Sequence, residues 1–320
     1  MRGESATNSA GSSGGGRKSF MSVRTLLVLS LSSVWERGVF FPRFSLGEVN
    51  RAAEHWEYPS GKATNLCRAV KCLRDPEVQT ILLTTVGGPR GQRFQEVCRD
   101  EGLFFHGIPC RGETRVCTNV LVAGHSMTEM VEEAPALYPE EQEKFLAALE
   151  QVLPDADGVA LAGNFPPETP EEFPRRIAQL VAKQDLPLFL DNWRHFAVMA
   201  QECPKRLTLK INAEELRKIT GIQEIPQAME ELCRKYPGLT LGVTDGAADG
   251  WLLFPEMEHP EAFPIPHVKN PVNTLGAGDT ASGVFFAQLL EGKTAKDAFQ
   301  NALQDASKSC LTRIAGEFES

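Results

Sequence analysis

The segment Asn273-Thr274-Leu275-Gly276-Ala277-Gly278-Asp279-Thr280 places a carboxylate directly after two glycines that flank an alanine, and a helix-forming run, Ala281 to Leu290, follows it. Small residues let consecutive backbone amides converge, and a helix start adds the positive end of its dipole, so this turn is suited to an anion. From the residues alone Asp279 has two readings. A carboxylate where a helix begins is a good N-cap, whereas a carboxylate beside an anion cradle can act as general base toward an alcohol. Spacing does not separate the two, because a glycine-rich turn before a helix is a weak motif.

Three other segments carry groups of the same kind. In Pro59-Ser60-Gly61-Lys62-Ala63-Thr64-Asn65 a lysine stands at a helix start, where the dipole disfavours it, which argues for a functional reason over a merely solvated side chain. Lys210-Ile211-Asn212-Ala213-Glu214-Glu215 ends an apolar run and opens a helix. Taken alone, Asn212 and Glu215 read best as an N-cap and its N3 partner, a capping box. Thr244-Asp245-Gly246-Ala247-Ala248-Asp249-Gly250 follows another apolar run and could bring backbone close to a ligand.

Composition narrows the classes. The formal net charge of -9, with no long run of Lys or Arg, argues against a nucleic-acid partner. No apolar stretch approaches the roughly 18 residues that a membrane-spanning helix needs, so no membrane partner is expected. Eight scattered cysteines without a CxxC pair read as reduced thiols in a cytosol-like compartment, and a cytoplasmic location is expected, an organelle address in the tail being the other option. Residues 1 to 20, centred on Gly11-Ser12-Ser13-Gly14-Gly15-Gly16, read as a disordered tail.

The elements that must position these groups alternate. Short apolar runs at Val23 to Ser30, Ile81 to Thr85, Gly158 to Ala162, Leu186 to Leu190, Leu207 to Ile211 and Leu239 to Val243 read as strands buried on both faces. Between them, helical patterns cover Ala63 to Leu73, Gln92 to Glu101, Pro139 to Val152, Pro170 to Lys183, Ala213 to Thr220 and Pro226 to Tyr236, with Ala281 to Leu290 and Ala295 to Thr312 at the end. The pattern predicts an α/β fold, a doubly wound, mostly parallel sheet over residues 21–320. Two segments, near 38–57 and 105–123, break the alternation and read as a small β-sheet lid over the carboxyl ends of the strands.

The turn at 273–279 resembles the DTxGAGD signature of the PfkB, or ribokinase-type, carbohydrate kinase family, with Asn273 in place of the leading aspartate. Residues 59–65 are similar to PGGKGxN, and Gly112-Glu113-Thr114-Arg115 to GETR, both of the family's 1-phosphofructokinase and tagatose-6-phosphate kinase branch. Residues 210–215 resemble KPNxxE, and 244–250 the nucleotide loop SxGxxG with one residue more between its glycines. Gly163-Asn164-Phe165-Pro166-Pro167 looks like GSLPPG, and Asp191-Asn192-Trp193 like DTS.

The resemblance implies a ribokinase-like three-layer α/β/α sandwich and an ATP- and Mg2+-dependent transfer of phosphate to a sugar phosphate. It implies Asp279 as base, with Gly276, Ala277 and Gly278 as anion hole. Gly61, Lys62, Asn65 and Arg115 would bind the acceptor, the two cations holding its existing phosphate; Glu36 would grip its hydroxyls. Thr244, Gly246, Asn212 and Thr274 would bind ATP, with Asn212 and Glu215 organising magnesium through water. A homodimer through the lid is a further expectation. The departures lie on the acceptor side: Ser32-Ser33-Val34-Trp35-Glu36 stands where the branch has NPALD, and Ser60 and Ala63 replace glycines. They leave open a kinase of a free sugar or nucleoside, and a catalytically weak nucleotide- or sugar-binding protein.

Overall fold

Strand β1 (Arg24–Ser30) runs through the middle of a nine-stranded sheet, and its side chains divide between two cores with a period of two. Leu27 and Leu29 enter one core while Leu26 and Val28 enter the other, which is why the run is apolar at every position. The structure, a computed structural model, describes residues 23–74, 77–125, 127–203 and 205–319. The tail expected at 1–20 lies outside the described residues.

On one side β1 pairs in parallel with β4 (Val78–Val86), which pairs with the edge strand β5 (Phe104–Pro109). On the other side follow β8 (Gly158–Ala162), β9 (Leu188–Asp191), β10 (Leu207–Asn212) and β11 (Leu239–Thr244), all parallel. Two antiparallel strands, β12 (Gly250–Leu253) and β13 (Glu261–Phe263), close the far edge.

Helices cover both faces. Side chains of α3 (Pro139–Val152), α4 (Glu172–Lys183), α5 (Phe196–Glu202), α6 (Ala213–Thr220) and α7 (Ile225–Lys235) build the core of one face. Those of α1 (Lys62–Lys71), α2 (Gly88–Asp100), α8 (Ala277–Glu291) and α9 (Ala295–Ser309) build the other. This is the ribokinase-like three-layer α/β/α sandwich, and the parallel strands all point their carboxyl ends at one edge. Among the described residues no helix is long and apolar enough to cross a membrane. All eight cysteines are unpaired thiols.

A second sheet of four strands has the order β3 (Glu54–Ser60), β2 (Val34–Phe41), β6 (Arg115–Val122), β7 (Thr128–Val131). It differs from the segments read from sequence. The first segment is longer than 38–57: β2 begins at Val34, and β3 ends at Ser60, so this sheet runs straight into α1. The second segment divides, because residues 104–109 pair with β4 in the main sheet and only 115–122 join the smaller one. A half-exposed edge strand and a half-exposed strand of the smaller sheet carry similar patterns, so sequence could not assign β5. Strand β7 is exposed at all four positions and leaves no apolar signal.

Helix α8 is buried on nearly every side and packs along α1. Their close approach depends on Gly283, where a Cβ would lie 2.8 Å from the Leu66 carbonyl oxygen. The approach sets the first turns of the two helices side by side.

Candidate active site

The start of α8 carries the turn that sequence singled out. Its N-cap is Gly276, in the left-handed region at φ 77°, where a Cβ would also come within 2.6 Å of the Ala315 Cβ. Asp279 is therefore the third residue of the helix and not its N-cap, which removes the capping reading and puts the carboxylate inside the first turn. No side chain caps this helix. The amides of Ala277, Gly278 and Asp279 have no intrahelical acceptor and lie where the helix dipole is positive. Asn273, in place of the pattern's aspartate, shapes the approach: its Oδ1 accepts from Leu275 N (3.0 Å) and its Nδ2 donates to Arg313 O (3.0 Å).

Opposite lies the first turn of α1, whose N-cap Gly61 has φ 99°. Asn65, four residues on and 2% exposed, donates from Nδ2 to Asp279 Oδ2 at 2.8 Å. Its Oδ1 accepts from Ser60 Oγ (3.1 Å) and Arg68 Nη1 (3.3 Å). Asn65, expected on the acceptor's hydroxyls, here gives one of its two amide hydrogens to Asp279.

Two lysines and two further carboxylates complete the cluster. Lys62 Nζ lies 2.7 Å from Asp191 Oδ1 and 3.5 Å from Glu215 Oε1. Asp191, the last residue of β9, also accepts from Ser282 Oγ at 2.7 Å. Lys210, in the buried β10, donates to the Gly278 carbonyl at 3.0 Å and so fastens the α8 turn to the sheet.

Burial and the Asp191 carboxylate push the pKa of the half-buried Asp279 up, against Lys62, the Asn65 hydrogen bond and Lys210. Burial also opposes the charge on Asp191, but Lys62, Lys210 and the Ser282 hydroxyl outweigh it and hold that carboxyl low. For Lys210 burial wins and the pKa is lowered; for Lys62 burial is overcome by Asp191, Glu215 and Asp279, and the pKa is raised. The arrangement can keep one carboxylate charged and structural while leaving the other with higher basicity beside an anion cradle.

Three of the four groups read as nucleotide-binding stand at or just after two neighbouring strand ends. Asn212 and Thr244 are register partners at the ends of β10 and β11, and Gly246 follows in a turn at φ 59°. Thr274 is exposed beside the α8 turn. The capping box is present as drawn from the residues alone: Asn212 Oδ1 accepts from Glu215 N (2.8 Å), and Glu215 Oε2 accepts from Asn212 N (3.1 Å). That leaves Glu215 Oε1, which faces Lys62.

Glu36 is 3% exposed on β2 and accepts from Asn119 Nδ2 at 2.7 Å. Burial and the Glu129 carboxylate raise its pKa from 4.5 to about 8, against hydrogen bonds from Ser60 and Asn119. A carboxyl whose folded pKa is raised contributes stability that is complete below the unfolded pKa and is lost as pH rises through the folded one. Glu36→Gln is therefore expected to match the wild type near pH 4 and to exceed it in unfolding free energy by about 2–4 kcal/mol at pH 9, by urea denaturation.

Arg115 opens β6 of the smaller sheet. Its Nη1 donates to Glu132 O at 2.9 Å, and its buried Nε has no hydrogen-bond partner among the described residues. Sequence reasoning did not single out Arg68 or Ser282, and it gave Asp191 and Lys210 no role. A charged residue within an apolar run was the available signal for Lys210 and Asp191; Arg68 sits in an amphipathic helix, where an arginine attracts no notice.

Comparisons with known proteins bear on the fold and the family. A model of the pfkB family carbohydrate kinases matches residues 30–318. The 1-phosphofructokinase of Bacillus subtilis (strain 168) is 28% identical over 283 residues, covering 86% of this chain and 89% of that one. Among solved structures, phosphofructokinase-2 from Escherichia coli in complex with substrates and products superposes with a TM-score of 0.80 at 19% identity, over 92% of this chain and 95% of that one. A possible 1-phosphofructokinase from Thermotoga maritima gives 0.79 at 16% identity, over 92% and 94%. At those identities the structures speak for the fold, and the family match, spanning nearly the whole chain, speaks for the class of enzyme: the chain belongs to the pfkB family and is a carbohydrate kinase.

Proposed function

We propose that the chain transfers the terminal phosphoryl group of ATP to a hydroxyl of a phosphorylated sugar, with Asp279 as general base. The observation that carries the reading is Asp279 Oδ2 held at 2.8 Å by Asn65 in the first turn of α8, beside amides that no side chain caps. Asp279 takes the proton of the acceptor hydroxyl as its oxygen attacks phosphorus. The amides of the Gly276-Ala277-Gly278 turn receive the charge that builds on the transferring group, and Lys210 keeps that turn fixed. Thr244, Gly246, Asn212 and Thr274 line the nucleotide side. The 1-phosphofructokinase relative and the phosphofructokinase-2 structures support a sugar phosphate as acceptor.

Magnesium fits the residues present in one way. Capping occupies Asn212 Oδ1 and one Glu215 oxygen, so this pair could offer only Glu215 Oε1, which it shares with Lys62 at 3.5 Å, and that suits an ion that keeps most of its water. When bound, it would neutralise charge on the nucleotide phosphates. The smaller sheet serves as the lid, since β2 leaves β1 and β3 enters α1 at the carboxyl edge.

Lys62 and Arg115 are assigned to the phosphate already on the acceptor. Lys62→Met is then expected to raise the KM for a sugar phosphate at least about tenfold with a smaller change in kcat, measured by ADP release. An unchanged KM would favour a second reading, a kinase of a free sugar or nucleoside. That reading has its own support, because Lys62 is already paired with Asp191 and Glu215. ADP release across sugar phosphates, free sugars and nucleosides decides between them, with fructose 1-phosphate, fructose 6-phosphate and tagatose 6-phosphate first.

A further inference from the structure

Ser60 puts a hydroxyl where the resembled loop has glycine, between the acceptor-side carboxyl and the base. It is 1% exposed, and its Oγ lies 3.1 Å from Asn65 Oδ1. The same Asn65 oxygen accepts from Arg68 Nη1, and Arg68 is pinned in turn by Pro59 O (2.8 Å), Ala315 O (2.9 Å) and Glu101 Oε2 (2.7 Å). A carboxamide has ends of opposite polarity. With its oxygen facing two donors, Asn65 presents its nitrogen to Asp279; reversed, it would set N–H groups against a guanidinium and a carbonyl against a carboxylate. The aim of Asp279 thus depends on Asn65, and that of Asn65 on Ser60 and Arg68.

Ser60 also neighbours Glu36: β2 and β3 pair Glu36 with Tyr58 and Val34 with Ser60, which puts the two buried side chains diagonally on one face, where the hydroxyl lowers the Glu36 pKa as a hydrogen-bond donor. The titratable groups facing Glu36 are Glu129 of β7, Asp279 of α8, Tyr58 of β3 and Cys117 of β6. A serine hydroxyl carries one proton and cannot donate to Asn65 and to an ionised Glu36 together. With Glu36 protonated, Glu36 donates to Ser60 and Ser60 donates to Asn65. With Glu36 ionised, the carboxylate draws the Ser60 proton to itself, and Arg68 alone holds the Asn65 oxygen.

We propose that Ser60 is a positioning residue for phosphoryl transfer: its single proton orients Asn65, and through it Asp279, while Glu36 is neutral, and turns away when Glu36 ionises. The proposal rests on the assignment of Asp279 as base. Because burial and Glu129 bring Glu36 to a pKa of about 8, the change falls within the range of ordinary assays.

The test is kcat at saturating acceptor from pH 6.5 to 9.5, for the wild type, Ser60→Ala and Ser60→Gly. The wild-type kcat should fall above about pH 8. Both variants should lose about 3- to 10-fold in kcat at pH 7, the worth of one hydrogen bond, with KM for the acceptor within about twofold and no fall above pH 8. A purely structural serine would lower kcat with the alkaline fall retained, and either that result or an unchanged kcat overturns the proposal.

A protein that phosphorylates no acceptor would defeat the kinase reading instead. The coupling is then decided without turnover by carbon-13 NMR of the Glu36 carboxyl, identified by its loss in Glu36→Gln. Ser60→Ala should raise the Glu36 midpoint, since a donor to the ionised form is gone, and an unmoved midpoint overturns the proposal.

Discussion

Asp279→Asn is expected to lower kcat by about 10²- to 10⁴-fold while the Kd for ATP changes by less than about threefold. The substitution keeps shape and hydrogen bonding. A carboxamide at this position can turn its oxygen to the Asn65 amide, 2.8 Å away in the wild type, so the α1–α8 contact persists and only the capacity to accept a proton is lost. The proposed nucleotide side stands mainly on β10, β11 and the turn after it, and the substitution leaves those groups and Thr274 unchanged, so ATP binding by calorimetry should stay near the wild-type value.

The pH dependence sharpens the same prediction. Burial and Asp191 raise the pKa of Asp279, so the acid limb of kcat/KM should lie above the ordinary aspartate range. A raised carboxyl also subtracts from stability as pH climbs past its unfolded pKa, so Asp279→Asn should be more stable than the wild type near neutrality. A group that lowers stability and raises rate is the signature of a functional position, and a variant with full activity would remove Asp279 from the mechanism.

Much of this site could be read before any coordinate, and the parts that could not share a physical reason. Gly276, Gly61 and Asp279 announce themselves because positive-φ turns at helix starts need particular residues in a fixed order. The parallel strands are legible because burial on both faces leaves uninterrupted apolar runs. What sequence could not supply is who faces whom across long separations. Asn65 and Asp279 are 214 positions apart, and their meeting depends on how closely α1 and α8 pack, which Gly283 permits but no local pattern encodes. The same holds for Lys62, whose ion pairs with Asp191 and Glu215 come from two other elements, and for β5, whose partner sheet is set by tertiary pairing.

Asp191→Asn tests the electrostatic frame and carries the largest stability effect. Asp191 is 2% exposed and balances two cations, Lys62 at 2.7 Å and the buried Lys210. Lys62 is partly exposed and retains Glu215, so it can relax toward water, whereas Lys210 is 3% exposed and donates to the Gly278 carbonyl, which carries no charge. Removing the shared counter-charge leaves an uncompensated ammonium in the interior, a change worth about 3–5 kcal/mol in comparable buried pairs. Urea denaturation at pH 7 should show that loss, and a loss under about 1 kcal/mol would mean that Lys210 already sheds its proton in the folded protein.

The pH trend distinguishes the two outcomes. Burial depresses the folded pKa of Lys210, so the unfolded chain binds more protons than the native one between that depressed value and the ordinary lysine value of 10.5. Stability of Asp191→Asn should accordingly recover as pH rises through that window. The wild type should show the same trend more weakly, because Asp191 opposes the depression. Activity should respond in the opposite sense from stability. Asp191 is the largest charge raising the pKa of Asp279, so without it the acid limb of kcat/KM should move to lower pH even as the folded state weakens. A limb that stays in place would show that Asp191 serves the lysines alone and does not set the basicity of Asp279.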